Sequence, residues 1–102
     1  MNFDWDEEKN KENIRKHELD FFDAWEIFEA PVLTEPDIRH DYSETRFIGY
    51  GFLRNFIVSV VFTERNGDTI RIISLRRARK NEREKFIKYI QNQLGTIGGN
   101  DG

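Results

Sequence analysis

Residues 60–83 read VVFTERNGDTIRIISLRRARKNER and carry the clearest structural signal in the chain. Two runs rich in β-branched residues predict a pair of strands. Asn66-Gly67 stands between them, and both residues tolerate the positive φ of a type I′ turn. The segment therefore predicts an antiparallel hairpin that leads directly into a basic stretch and then into a helix.

Outward from this hairpin, the pattern predicts strands over residues 45–52, 56–64 and 68–76, with a short strand at 3–5. Residues 56–62 are apolar on both faces, which predicts a central strand covered by helices. Two glycines interrupt the strand at 45–52, which indicates an edge strand or a curved one.

Two helices are predicted before the strands. The first covers residues 7–17 and follows Asp6, which suits the N-cap position. The second begins near Asp20 and ends before Pro31. Its apolar residues recur at core-facing intervals, at Phe21, Ala24, Trp25 and Phe28.

A third helix is predicted over residues 81–94, with Asn81 as its cap and Gly95 as its end. The fold class is α+β: an antiparallel sheet of three to four main strands, with two N-terminal helices and one C-terminal helix. We expect a single domain over residues 1–94 and a flexible, glycine-rich tail over 95–102.

Composition excludes several classes of protein. The 102 residues suffice for one domain. The chain has no cysteine and two histidines, so disulfides and thiol chemistry are excluded and a metal site is not expected. No stretch approaches the roughly 20 apolar residues of a membrane span, and the acidic N-terminus does not resemble a secretion signal. We therefore expect a cytoplasmic protein.

Charge is divided unevenly along the chain. Residues 1–45 hold fourteen acidic and five basic residues, whereas residues 65–88 hold nine basic and three acidic ones. This asymmetry favours an anionic partner at the C-terminal half, in contact with one face only. The alternative is a solvated helix surface.

The turn also predicts which side chains share a face of the sheet. If the loop holds two residues, Arg65 faces Asp68, and Glu64 and Arg71 become diagonal neighbours on one face. Arg76 then lies on the side away from Arg71, unless a bulge re-aims it. The alternative for Glu64 and Arg71 is a surface ion pair contributing at most about 1 kcal/mol.

Over about residues 3–90, the chain resembles the BrnT family of bacterial toxins. The resemblance depends on the order, spacing and co-occurrence of a set of residues. These are Phe3, Trp5, Asp6, Lys9, Asn13, Lys16, His17, Arg46, Gly49, Thr63, Glu64, Arg65, Ile70, Arg71, Ile72, Ile73, Ser74, Arg76, Ala78, Glu82 and Arg83. Two positions depart from the family pattern: Leu75 replaces the usual alanine, and Arg79 replaces a threonine before the last helix.

The resemblance implies a small RelE-like endoribonuclease that cuts mRNA without a metal or other cofactor, through attack by the adjacent 2′-hydroxyl. It also implies a neutralising partner, a BrnA-like antitoxin with a ribbon-helix-helix DNA-binding part. Through this antitoxin the toxin would be linked to operator DNA.

Cleavage of this kind needs proton transfer and fixed positive charge around the phosphate. The resemblance and the residue chemistry together predict four catalytic residues: His17, Glu64, Arg71 and Arg76. Histidine exchanges protons near neutral pH, Glu64 would act as base or orient an arginine, and arginine forks bind phosphate oxygens. The predicted RNA-binding residues are Lys16, Arg65, Arg77, Arg79 and Arg83, with Trp5 or Tyr50 as platforms for a base.

Each assignment has a plain alternative. His17 could merely close the first helix, where a cation suits the dipole, and His40 could be solvated. Trp5 could be a packing residue, and the arginine cluster could bind the antitoxin instead of RNA. For the whole protein, the alternatives are a non-enzymatic module that binds nucleic acid or antitoxin, and an inhibitor of DNA gyrase.

Overall fold

The computed structural model describes the backbone of residues 1–99 and the side chains of residues 1–94. Its five strands form one sheet in the order β1-β5-β4-β3-β2. The strands are β1 (Asn2–Trp5), β2 (Leu33–Pro36), β3 (Phe47–Leu53), β4 (Phe56–Arg65) and β5 (Thr69–Arg77). β1 lies parallel to β5, and all other neighbours are antiparallel.

The α+β class and the central position of β4 are confirmed, but the sheet differs from the prediction. It has five strands and is mixed, whereas three to four antiparallel strands were expected. β3 is not an edge strand, because the short β2 pairs along its outer side. Both differences come from four-residue strands. The strand at 3–5 was predicted, but not its pairing with β5, which lies more than sixty positions away. β2 was not among the predicted strands of the sheet.

The helices are α1 (Glu7–His17), a 3₁₀ helix (Phe21–Glu29) and α2 (Lys80–Gly99). The second predicted helix is therefore not an α-helix, so the described chain contains two α-helices where three were expected. α2 continues to Gly99 and does not end at Gly95. Residues 100–102 of the predicted flexible tail lie outside the described residues. None of the helices in the described part has the length and apolar character that a membrane crossing requires.

The 3₁₀ helix follows from a threefold repeat in its sequence. In this helix, side chains three residues apart are eclipsed, so the segment presents three straight rows. One row is fully buried in the core: Phe21, Ala24 and Ile27. The second row is aromatic and the third is acidic: Phe22, Trp25 and Phe28, then Asp23, Glu26 and Glu29. A strict spacing of three suits a 3₁₀ helix better than the 3.6-residue period of an α-helix.

The two faces of the sheet have different roles. The core face is covered by α1 and the 3₁₀ helix, and it carries Val58, Val60, Phe62, Ile72 and Leu75. We call the opposite side the open face. α2 meets the open face at one end, where Phe86 packs edge-on against Phe52 with 5.0 Å between ring centroids.

Close packing on the core face explains a glycine in β3. A Cβ built on Gly51 would lie 2.9 Å from Cγ2 of Ile27 in the 3₁₀ helix. We expect Gly51→Ala to lower the free energy of unfolding by about 1–3 kcal/mol, because Ile27 is fully buried and has little room to move. Urea unfolding measures this change. An unchanged midpoint would show that the 3₁₀ helix does not press on β3 as described.

The hairpin loop holds three residues, 66–68, and not the predicted two. Asn66 and Gly67 do adopt positive φ, at 57° and 76°, but Asp68 joins the loop, so Arg65 pairs with Thr69. A slip of one residue turns every side chain to the other face. Glu64 and Arg71 therefore lie on opposite faces, and their predicted diagonal pairing is wrong.

A β-bulge then shifts the register again. Phe62 pairs with Ile72, but Val61 pairs with Ser74, so Ile73 is an extra residue in β5. Beyond the bulge Arg76 pairs with Ser59, on the same open face as Arg71. The prediction that Arg76 would lie away from Arg71 is therefore wrong. The cause is a bulge, which that prediction had named as the exception.

Candidate functional site

The open face carries a polar pocket of ≈ 550 Å³ next to the start of α2. Its floor comes from β3, β4 and β5, through Tyr50, Ser59, Ser74 and Arg76. Its walls come from the 35–39 segment and from the start of α2, where Arg79 and Glu82 lie. Because polar and charged groups dominate this pocket, it suits a polar ligand better than an apolar one.

A second concave surface of ≈ 420 Å³ adjoins this pocket, and Arg76 and Arg79 line both. We call this second surface the basic cleft. Its lining residues are Lys16, His17, Glu18, Arg76, Arg77 and Arg79. The structure therefore brings together five of the nine predicted site residues around one concavity.

Two buried asparagines hold α1 in place and so position His17. Asn13 donates to the Leu19 carbonyl at 2.9 Å, and its oxygen accepts the backbone N–H of Leu75 at 3.1 Å. Leu75 needs this partner because β1 pairs with β5 only as far as Ile72. The bond ties α1 to the residue before Arg76, and His17 lies one helical turn further on.

Asn10 completes this anchor. It donates to Asp20 at 2.9 Å and accepts the backbone N–H of Phe21 at 2.8 Å. α1 ends at His17 because Glu18 adopts a left-handed conformation, with φ 60°. Asn10 and Asn13 thus hold α1 against the rest of the fold, and Lys16 and His17 at the end of α1 line the cleft.

Arg76 forms a forked ion pair with Glu82, with N–O distances of 2.8 and 2.9 Å. The side chains are 23% and 12% exposed, so the pair is largely shielded from water. The hydrogen bonds from Arg76 hold the pKa of Glu82 at about 2, and the same bonds raise the pKa of Arg76. Arg76 is thereby fixed in one orientation, with its charge largely compensated.

Glu82 also determines how α2 begins. Its carboxylate accepts the backbone N–H of Arg79 at 2.8 Å, and the first helical hydrogen bond runs from Arg83 N–H to the Arg79 carbonyl. Arg79 is therefore the N-cap residue, and Glu82 supplies the acidic half of a capping box. The prediction that Asn81 caps this helix is wrong.

The free positive charge of the cleft comes from Arg77 and Arg79. Among the described residues, no carboxylate lies within ion-pair distance of either guanidinium. Arg77 stacks over the Phe56 ring, 4.0 Å from its centroid, and Lys16 pairs loosely with Glu12 at 3.6 Å. A phosphate that enters the cleft therefore meets guanidinium groups whose positive charge is not already neutralised.

The remaining predicted site residues lie elsewhere. Glu64 and Arg65 lie at the hairpin end of β4, about 17 Å along the strand from the partner of Arg76. Arg71 pairs with Asp4 of β1 at 2.7 Å, and Arg83 donates to the Ala78 carbonyl at 2.8 Å. The guanidinium groups of the last two strands thus divide between two ends of the sheet.

The two predicted base platforms are poorly placed to stack a base. Trp5 packs edge-on against Phe22, with centroids 6.4 Å apart, and contacts the core. Tyr50 is only 5% exposed, and burial raises its pKa. His40 lies against the ring of Tyr42, away from the cleft.

Several pocket residues were not identified from the sequence. Asp37 is buried and accepts two hydrogen bonds from the Arg39 side chain, both at 2.8 Å, and one from Tyr42. These bonds hold the pKa of Asp37 well below its usual range. They also fix Arg39 at the wall of the pocket. The only sequence signal for this hydrogen-bonded group is an acidic residue two positions before an arginine in a polar loop.

Within the described residues, no group of three or more acidic, histidine or cysteine side chains is arranged to hold a metal ion.

Comparison with known proteins identifies a family and a solved structure to which the chain is similar. The family described as "Ribonuclease toxin, BrnT, of type II toxin-antitoxin system" matches residues 5–82. Among solved structures, the chain is similar to the crystal structure of the Brucella abortus ribonuclease toxin, BrnT, with a TM-score of 0.64 and 30% sequence identity. That match covers 78% of this chain and 99% of the other. None of the curated proteins that were compared matches the chain.

Proposed function

The chain belongs to the BrnT family of ribonuclease toxins of type II toxin–antitoxin systems, and we propose that it cuts mRNA at the basic cleft and thereby inhibits translation. The observation that carries this proposal is the meeting of His17 with Arg76 and Arg79 around one concave surface. A group for proton transfer and fixed positive charge are thus available at the same place.

The proposed reaction is attack by the adjacent 2′-hydroxyl. Its oxygen gives up a proton to a base and bonds to phosphorus, while the bond between phosphorus and the 5′-oxygen breaks. The departing 5′-oxygen takes a proton, so the products carry a 2′,3′-cyclic phosphate and a 5′-hydroxyl. In this proposal His17 transfers one of these protons. The uncompensated charge of Arg79 stabilises the charge that develops on the phosphate oxygens, and Arg76, oriented by Glu82, donates hydrogen bonds to them.

The other predicted residues receive roles according to their position. Lys16 and Arg77 line the cleft and would contact the RNA backbone on either side of the cut. Glu64 and Arg65 would contact RNA only along a path that reaches the hairpin end, and Arg71 would have to leave Asp4 to do so. We propose that the partner is a BrnA-like ribbon-helix-helix antitoxin that links the toxin to operator DNA. The toxin would act in the cytoplasm, where mRNA is translated.

The arginines supply the positive charge in this proposal, so cleavage should not require a metal ion. We expect the purified protein to cut single-stranded RNA equally well with Mg²⁺ and with EDTA, and to leave 2′,3′-cyclic phosphate ends. Gel analysis and mass spectrometry of the products measure both results. RNA that is bound in a salt-sensitive manner but never cut would instead support the non-enzymatic binding module.

A further inference from the structure

The aromatic row of the 3₁₀ helix borders another concave surface, at the β1 edge of the sheet. This groove has a volume of ≈ 470 Å³ and is lined by Met1, Phe3, Trp25, Phe28 and Glu29. Phe22 and Trp25 are 66% and 46% exposed. Two large aromatic side chains left in water beside a groove mark a surface that another molecule can cover.

The groove is separate from the basic cleft. No residue in the described part of the chain lines both the groove and the basic cleft. Phe3 pairs with Ile70 of β5, which precedes Arg76 by six residues, or about 20 Å along the strand. A molecule bound in the groove therefore does not need to compete with RNA for the same side chains.

The charged residues around the groove indicate which kind of partner it can bind. Among the described residues, no lysine or arginine side chain lines it. In the acidic row beside it, Asp23 and Glu26 both pair with Arg54, at 3.2 and 3.3 Å. Glu29 forms no ion pair with any described residue and lies at the groove itself. The carboxylate of Glu29 beside exposed aromatic rings suits a cationic segment with an apolar anchor, because lysine and arginine interact with both carboxylates and aromatic faces.

The sheet edge adds a second way to hold such a segment. β1 is the terminal strand of the sheet in residues 1–99, so one side of its backbone has no strand partner. An extended peptide can pair with a free edge of this kind while its alternate side chains enter adjacent pockets. Phe3 belongs to β1 and also lines the groove, so the edge and the groove are continuous.

We propose that this groove binds an extended, cationic segment of the antitoxin. An apolar side chain of the segment would lie between Phe3, Trp25 and Phe28, and a lysine or arginine would lie beside Glu29. This inference rests on the proposed function for its partner, the antitoxin. It does not depend on how RNA is cut.

The test measures the affinity of full-length toxin variants for the full-length cognate antitoxin by calorimetry. We expect Trp25→Ala to weaken binding about tenfold or more, because it removes an exposed ring from the groove. Glu29→Lys should weaken binding similarly at low salt and less at high salt, since the lost interaction is electrostatic. Glu29→Gln should fall between Glu29→Lys and wild type. Leu94→Ala removes a side chain that is 64% exposed on α2 and should leave the affinity unchanged.

The free variants should cut RNA at the wild-type rate, because none of the changes touches the basic cleft. Wild-type antitoxin affinity in both Trp25→Ala and Glu29→Lys would overturn the inference. So would light scattering that shows a toxin dimer lost in Trp25→Ala, since the groove would then bind a second copy. If wild-type toxin leaves RNA uncut while the affinity pattern appears as expected, the proposed function fails and the groove assignment stands.

Discussion

His17→Ala should lower the rate of RNA cleavage by about 10²–10⁴-fold, the usual contribution of a positioned acid or base. His17 is the one histidine that lines the basic cleft. Single-turnover cleavage of a short labelled RNA measures this rate. The affinity for RNA should change little.

His40→Ala is the matched control, since this histidine packs against Tyr42 and does not line the cleft. Its cleavage rate should equal that of wild type. If His17→Ala also cuts RNA at the wild-type rate, His17 only closes α1. The proton would then have to come from another group at the cleft, and Glu18, which also lines it, would have to be tested in turn.

Much of the fold could be predicted from local patterns. The three long strands, the position of β4 and the start of α1 depend on alternation, apolar runs and a capping residue close in sequence. Whether the loop includes Asp68 depends on a small difference in free energy between turn types. Its inclusion reverses the faces of β5 relative to β4. The pairing of β1 with β5 joins residues more than sixty positions apart, so no short pattern reports it.

The 3₁₀ helix could have been recognised. Apolar, aromatic and acidic residues repeat strictly every three positions from Phe21 to Glu29, whereas an α-helix with one buried stripe mixes spacings of three and four. The α-helical interpretation treated Trp25 and Phe28 as core residues together with Phe21. The threefold interpretation places Trp25 in a separate row and leaves it half exposed, as observed.

The site was predictable where residues lie close together in sequence. Lys16 with His17, and Arg76 with Arg77 and Arg79, form two short clusters, and the structure joins them at one cleft. Glu64 and Arg71 could not be placed, because their relative faces depend on the loop length, and the face of Arg76 depends on the bulge at Ile73. The pairing of Arg76 with Glu82 was also missed, because this contact depends on where α2 begins.

Arg76→Ala should have the second large effect, on both activity and stability. The substitution removes a phosphate donor from the cleft, for which we expect about a 10²-fold loss in cleavage rate. It also leaves the carboxylate of Glu82, 12% exposed, without its forked partner. Breaking a shielded ion pair in this way should lower the free energy of unfolding by about 2–3 kcal/mol. Urea unfolding and single-turnover cleavage measure the two effects separately.

Glu82→Gln separates the structural role of the pair from the catalytic one. It removes the negative charge and keeps Arg76, so RNA affinity should rise while stability falls. A variant with tighter RNA binding and wild-type stability would show that Glu82 does not hold Arg76 in place.

The pH dependence of stability gives an independent check on the same pair. The pKa of Glu82 is about 2 in the folded protein, below its ordinary value of 4.5. A lowered pKa means that the folded state favours the charged carboxylate, so the stabilisation is fully present above pH 4.5 and is lost as the pH falls towards 2. The difference in unfolding free energy between wild type and Glu82→Gln should therefore be constant from pH 5 to 7 and shrink through this acidic window. A difference that grows on acidification would mean that Glu82 is protonated beside Arg76. In that case Arg76 keeps its full charge for the phosphate and is not held by Glu82.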